Sequence, residues 1–412
     1  MSDLATLSAY ALDWLSLLGR WVHLITGIAW IGSSFYFVWL DNHLVAPDES
    51  LALKGVGGEL WAVHGGGFYN AQKYRVAPQT LPRSLHWFYW EAYSTLLSGF
   101  FLLGVLYYAQ AQIYLIDPRV AALSRPAAIA ISLAFIVGGW VVYDALCRSA
   151  LARRPAWLAG LLALLFGAAA YELCHLFSGR GAFVQFGAML GTTMVANVFF
   201  VIIPGQREMV RAKQQGRDPD PQAGLRGKLR SVHNTYFTLP VLFTMISNHY
   251  PMTFGARHNW MVLIAMSAAG LLIRVYFVAR HKRHERGGKT AAWPALLGLA
   301  VLAATAAALV PRPAPTIGAA TGEATSDATR FAAIQTIVAA RCVPCHGAAP
   351  SQAGFATAPK GLVLDTPDAL LTHVATIAPQ VAAGTMPIGN LTGMTDSERS
   401  QLLDWIRHGA PH

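Results

Sequence analysis

Long apolar runs alternate with short polar connections along most of this chain. Eight runs stand out, at residues 14–40, 87–109, 126–146, 156–176, 183–203, 233–252, 259–278 and 291–310. About 20 apolar residues in helical form span the roughly 30 Å hydrocarbon layer of a bilayer. A helix is the form a lone span must take, because lipid offers no partner to a free backbone N–H or C=O. The sixth run is the weakest, since His233, Pro240, Asn248 and His249 interrupt it. Trp14, Trp87, Tyr107, Trp157 and Trp260 stand near run ends, where amphipathic rings anchor at the membrane–water boundary.

Composition agrees with the pattern. Of 412 residues, 54% are hydrophobic and 13% charged, whereas soluble domains average about 25% charged. The net charge of +10 does not point to nucleic acid, since the basic residues lie in connections between apolar runs and no recognition module accompanies them. The connections at 41–83, 147–155, 204–231 and 280–290 hold 19 Lys and Arg, while the N-terminal segment and those at 110–125, 178–182 and 248–258 hold 4. The positive-inside rule makes the first set cytoplasmic and puts both termini outside, in the inner (cytoplasmic) membrane. No Lys or Arg precedes Arg20, so the first run reads as a retained helix rather than a cleaved signal peptide.

Past residue 310 the chain changes character. Residues 311–330 are small, Pro- and Thr-rich and read as a linker. Residues 331–412 are of mixed polarity and contain Cys342, Cys345 and His346 in the order C-V-P-C-H. This is the attachment signature of c-type haem: two thioethers fix the macrocycle and the adjacent His is the proximal ligand. A zinc site would need further ligands at metal spacing, and there is no second Cys pair; a thioredoxin-type motif would need a βαβ setting. Met386, in G-T-M-P, is the expected distal ligand, with Met394 and His373 behind it. So short a domain has little apolar core of its own, and the haem is expected to complete it. Cys147 and Cys174 fall at opposite ends of the bundle and read as ordinary buried thiols.

Ionisable residues inside apolar runs are candidates for function. Arg20 and His23 share one helical face in the outer third of the first run. Glu172, His175, Asn248, His249 and Tyr250 fall on the same side, while Glu59, His64, His86, Glu91, His233 and Asn234 fall on the cytoplasmic side. Paired helix histidines also offer ligands for a b-type haem in the bundle. The glycine-rich stretch 57–69 lacks the Gly-Lys-Ser/Thr ending of a phosphate loop and is not read as nucleotide-binding.

The segments RWVHLITGIAWIGSSFYFVWLDNH (20–43), GELWAVHGGGFYNAQKY (58–74), LHWFYWEAY (85–93) and SVHNTYFTLPVLFTMISNHYPMT (231–253) resemble the membrane-bound, cytochrome-c-linked urate oxidase (urate hydroxylase) family. The resemblance implies an all-α fold in which an eight-helix transmembrane domain (1–310) joins a small all-α cytochrome c domain (331–412). It also implies oxidation of urate to 5-hydroxyisourate, with electrons passing through haem c to a soluble cytochrome c or terminal oxidase. Urate is a flat anion, so it calls for a cationic fork, a base and a stacking ring. Arg20 as anchor, His23 or His249 as base and Trp21 or Trp30 as platform are the expected set on the haem side. The cytoplasmic group is the rival. A quinol-linked electron conduit and a transporter with a cytochrome sensor are the alternative readings of the whole chain.

Overall fold

The computed structural model describes residues 2–284, 291–310, 327–355 and 357–412. Each of the eight apolar runs falls on helix: α1 (Ser2–Asn42), α2 (Trp90–Leu102), α3 (Arg125–Arg148), α4 (Pro155–Leu176), α5 (Gly179–Asn197), α7 (Pro221–Ser247), α8 (Asn259–His284) and α9 (Trp293–Ala308). A further helix, α6 (Ile203–Gln214), continues α5 on the far side of a π turn at Val198–Ile202, and a second π turn, Leu103–Tyr108, extends α2. Ser124 and Ser178 cap α3 and α5 by accepting from backbone N–H groups three residues on.

Among the described residues, five helical segments are long and apolar enough to cross a membrane: Tyr10–Asn42, Arg125–Arg148, Pro155–Leu176, Gly179–Gln214 and Asn259–Arg280. The expectation of eight meets three shortfalls with different causes. Helix α9 has 16 residues, about 24 Å at 1.5 Å per residue. Helix α2 changes pitch at its π turn. Helix α7 opens on Arg226, Lys228 and Arg230 and carries Pro240.

The all-α expectation also needs correcting. Between α1 and α2 lies an antiparallel hairpin, β1 (Val56–His64) and β2 (Gly67–Tyr74), in register from Gly58↔Lys73 to His64↔Gly67. Gly65 and Gly66 form its two-residue turn with φ of 57° and 82°, the conformation that a tight hairpin demands and glycine supplies. Asp41 at the end of α1 pairs with Lys73 of β2 and, at 3.9 Å, with Lys228 of α7, so these three elements share one end of the bundle.

Helix α5 is central. It packs against α3, α4 and α7, and Phe183, Phe186, Met189, Leu190 and Met194 on it are buried. Helix α1, by contrast, is apolar yet broadly exposed, as expected of a helix whose solvent is lipid.

Of the linker expected at 311–330, residues 311–326 lie outside the described residues and 327–330 open helix α10 (Asp327–Arg341). The tail continues through the single turn α11 (Val343–His346), α12 (Pro367–Ala382) and α13 (Asp396–Arg407). It has its own apolar cluster around Ile334, Leu370, Val381, Met394, Leu402 and Trp405. Arg341 joins α10 to α13 through Glu398 at 3.0 Å.

Candidate functional site

Polar side chains gather at both ends of the bundle, and the two gatherings differ in kind. At the hairpin end, Arg230 of α7 is almost wholly buried and donates to Asp144 of α3 at 2.6 Å, while Arg148 binds the other oxygen of that carboxylate at 2.6 Å. Arg230 also lies over the ring of Tyr143, 4.9 Å from its centroid. The Tyr143 hydroxyl meets His233 Nδ1 at 2.8 Å and accepts from Asn197 Nδ2 at 3.1 Å. Asn197 donates to Asn234 Oδ1 (2.9 Å), and Asn234 donates to the Met194 carbonyl (2.9 Å). This network is closed: its one buried guanidinium is already committed to a carboxylate. Asn197 directly precedes the π turn at Val198–Ile202, a register shift common at functional sites.

The rest of the expected cytoplasmic group does not join it. Glu59 accepts from Asn70 across the hairpin (2.7 Å), His64 ends β1, His86 stacks edge-on to Phe88, and Glu91 lies in the first turn of α2. Of the histidines inside helices, His23 faces Ser98, His175 faces Tyr171 and His233 faces Tyr143.

The opposite end is open. The Nδ1 of His23 meets Ser98 Oγ of α2 at 3.0 Å, and Thr26 reaches the same hydroxyl at 3.4 Å. Arg20 is exposed, and its Nε donates to Ser16 at 3.2 Å. Arg20 and Arg180 both act electrostatically on the buried Tyr107, whose hydroxyl donates to Asn248 Oδ1 at 3.3 Å. His249, next in the chain, is exposed. The structure thus joins Asn248 to Tyr107 and sets His23 one helical turn from Arg20. Trp21 is exposed on α1, whereas Trp30 is packed between the bundle's two apolar clusters.

The tail rests on this open end. Arg119 Nη2 donates to the Gly384 carbonyl (3.2 Å). A Cβ on Gly255 would lie 2.8 Å from the Ala383 carbonyl, and one on Gly389 would lie 3.2 Å from that of Gln112. Within the tail, Cys342 caps α11 and Cys345 lies in that turn, both as free thiols. Burial pushes the Cys342 thiol up to about 11, helped by the nearby Cys345, whose own thiol burial also raises. His346 Nδ1 lies 2.9 Å from the Leu362 carbonyl. As a donor there it leaves Nε2 as the nitrogen free to ligate, the arrangement expected of a ligating histidine. These residues fit a covalent haem. Met386 is half-buried with its carbonyl held by Arg399 (2.8 Å), whereas Met394 is buried in the tail's apolar cluster.

Sequence reasoning singled out His233 and Asn234 but missed Tyr143, Asp144, Asn197 and Arg230. Asp144 carried a usable signal, as a carboxylate within the third apolar run. The docking of the tail carried none.

No curated protein and no solved structure matches the chain. The family model described as urate oxidase, N-terminal, matches residues 9–309, which reach from within α1 to the end of α9, and the chain therefore belongs to the urate oxidase N-terminal family.

Proposed function

We propose that this protein is a membrane-bound oxidoreductase that converts urate to 5-hydroxyisourate and passes the electrons to a haem c held by Cys342, Cys345, His346 and Met386. The observation that carries this reading is the seating of segment 383–389, which contains Met386, on the end of the bundle that presents Arg119, Arg180 and Arg257. A substrate held there lies next to the acceptor. The network around Arg230 lies far from it: Asn197 is eighteen residues beyond Gly179 on α5, about 27 Å along the helix. Its guanidinium is also neutralised by Asp144. The catalytic set on this reading is Arg20, His23 and His249.

In the reaction, urate and water give 5-hydroxyisourate, two electrons and two protons. Arg20 supplies a cationic fork for the urate anion. His23, with Nδ1 engaged by Ser98, presents Nε2 as the base that takes a proton from water or from the ring, with His249 as the other candidate. When bound, the haem accepts electrons singly, so two acceptor turnovers match one urate. A soluble cytochrome c or a terminal oxidase would take them onward. The eight helices cross the inner membrane with the tail on the outer side, and the matching domains are 1–310 and 331–412.

The test is anaerobic. Membranes carrying the protein, given urate and an oxidised cytochrome c, should consume urate while the haem band becomes reduced. Haem-loaded, folded protein that leaves urate untouched would overturn the reading.

A further inference from the structure

Between the bundle and the tail lies a cavity of about 600 Å³, within the roughly 300–1,000 Å³ typical of small-molecule sites. Its floor comes from the connections at 113–120, 175–180 and 254–260, and its roof is Ala383, Gly384, Thr385, Ile388 and Gly389 of the tail. The charge inside is one-sided. Arg119, Arg180 and Arg257 line it together with His175 and His258, against the single carboxylate of Asp117, which Arg119 already engages through both oxygens at 3.0 and 2.7 Å. Among the described residues, neither Arg180 nor Arg257 has a carboxylate partner. Arg180 instead lies over the ring of Phe254, 5.3 Å from its centroid, and the Trp260 ring also faces the cavity.

We infer that this chamber is the binding site for a planar heteroaromatic anion, held by the guanidinium groups of Arg180 and Arg257 and complete only when the tail closes over it. Resting on the reading of urate as substrate, it gives urate a holding subsite beneath the residues that precede Met386, separate from Arg20, His23 and His249, which do not line it. Three physical points support it. Unpaired guanidinium forks beside aromatic faces suit a flat anion with several acceptor atoms. The chamber walls are protein on both sides, so the charges are screened less than on an open surface. Arg119, on the chamber wall, also donates to the Gly384 carbonyl of the roof at 3.2 Å, so the cation cluster itself ties the tail over the site.

The test measures equilibrium binding of urate and of orotate, a second planar anion, to the full chain in detergent, anaerobically and with the haem reduced so that nothing turns over. The wild-type protein should bind both anions, and added salt should weaken binding. Arg180→Gln with Arg257→Gln should weaken both by about tenfold or more, and Arg257→Lys should keep part of the affinity. Arg211→Gln, at the far end of the bundle, should change nothing. Retained haem staining and an unaltered melting temperature show that a variant is folded. Wild-type protein that binds neither anion, or a folded double variant that binds both as wild type does, would overturn the inference. Urate that binds in the chamber without being oxidised would defeat the proposed reaction while leaving the chamber as an anion site.

Discussion

Arg119 and Gly384 are joined across the boundary between bundle and tail: the guanidinium that grips Asp117 with one edge donates to the Gly384 carbonyl at 3.2 Å. Arg399 of the tail adds a second positive charge near Asp117, so one carboxylate faces cations from both sides of the boundary. Asp117→Asn should therefore loosen the tail without unfolding it. The rate at which urate reduces the haem should fall several-fold, and protease should reach the 383–389 segment sooner. Gly255→Leu should loosen the tail by another route, because its Cβ would lie 2.8 Å from the Ala383 carbonyl, though the equally close Pro251 carbonyl makes it strain the bundle's own turn as well.

The same pair sets a pH dependence. Burial alone would raise the Asp117 carboxyl, but hydrogen bonds from the Arg119 side chain and backbone, with the charges of Arg119 and Arg399, hold it below its ordinary value. Arg119 stays beside Asp117 in the undocked bundle, so only the share due to Arg399 is tied to docking; that share is complete above the undocked carboxyl's pKa and is lost as pH falls through the lower docked value. Docking followed by cross-linking between bundle and tail should be constant from neutral pH to about 5 and weaken below about 4; Asp117→Asn should abolish that step. A step of equal size in the variant would assign it to another group.

Hydropathy made the helices legible because lipid imposes a long, uniform apolar requirement, and all eight runs fall on helix. The hairpin is hidden because the glycines of 57–69 suggest a phosphate loop first; the short apolar run Leu60–Val63 and the Gly65–Gly66 turn are its signals. The buried network was half legible. His233 and Asn234 stood out as polar residues in an apolar run, whereas Arg230 was counted as a charge that orients the membrane. Its partner Asp144 lies 86 residues away, and nothing local in a sequence pairs such residues. The anion chamber is less legible still, being made of four separate stretches of chain.

The Arg230–Asp144 pair gives a prediction about stability. Both groups are largely buried, at 4% and 12% side-chain exposure. Removing Asp144 strands the buried Arg230 guanidinium, which costs roughly 3–5 kcal/mol, whereas Asp144 keeps Arg148 if Arg230 is removed. Asp144→Leu should therefore lower the melting temperature of the purified protein markedly. Arg230→Met combined with Asp144→Leu should recover most of the loss, since apolar replacement of a whole buried pair is often near neutral. A double variant no better than the single one would mean that Arg148 or Tyr143 depends on the pair in its own right.

Covalent haem should survive denaturing electrophoresis as a peroxidase-staining band, and Cys342→Ala with Cys345→Ala should remove it. Met386→Ala should keep the band and lower the midpoint potential, because loss of a thioether ligand removes the stabilisation of the reduced iron. An unchanged potential would transfer the role to Met394 or His373.

Sidedness follows from the loop charges. Protease added to spheroplasts should release the tail by cutting within 311–326, while the basic connection at 204–231 resists until the membrane is opened. Cutting of that connection from outside would reverse the orientation and move the Arg20 group to the cytoplasm.

The source of the new oxygen atom offers the sharpest test of the chemistry. If the electrons leave urate through a protein-bound acceptor, dioxygen has no part in the chemical step, and the hydroxyl group must come from water. His23 Nε2 or His249 then has a defined task, to take a proton from that water or from the urate ring as the bond forms. Turnover in isotopically labelled water should place the label in 5-hydroxyisourate, trapped before it hydrolyses further, whereas labelled dioxygen should leave the product unlabelled. Air should add no stoichiometric hydrogen peroxide. His23→Gln and His249→Gln, assayed separately, should identify the base: the variant that loses turnover by about 10²–10⁴-fold while still binding urate has lost the proton acceptor. Label arriving from dioxygen, or peroxide formed one-for-one with urate consumed, would mean that electrons reach oxygen directly and that the tail serves another purpose.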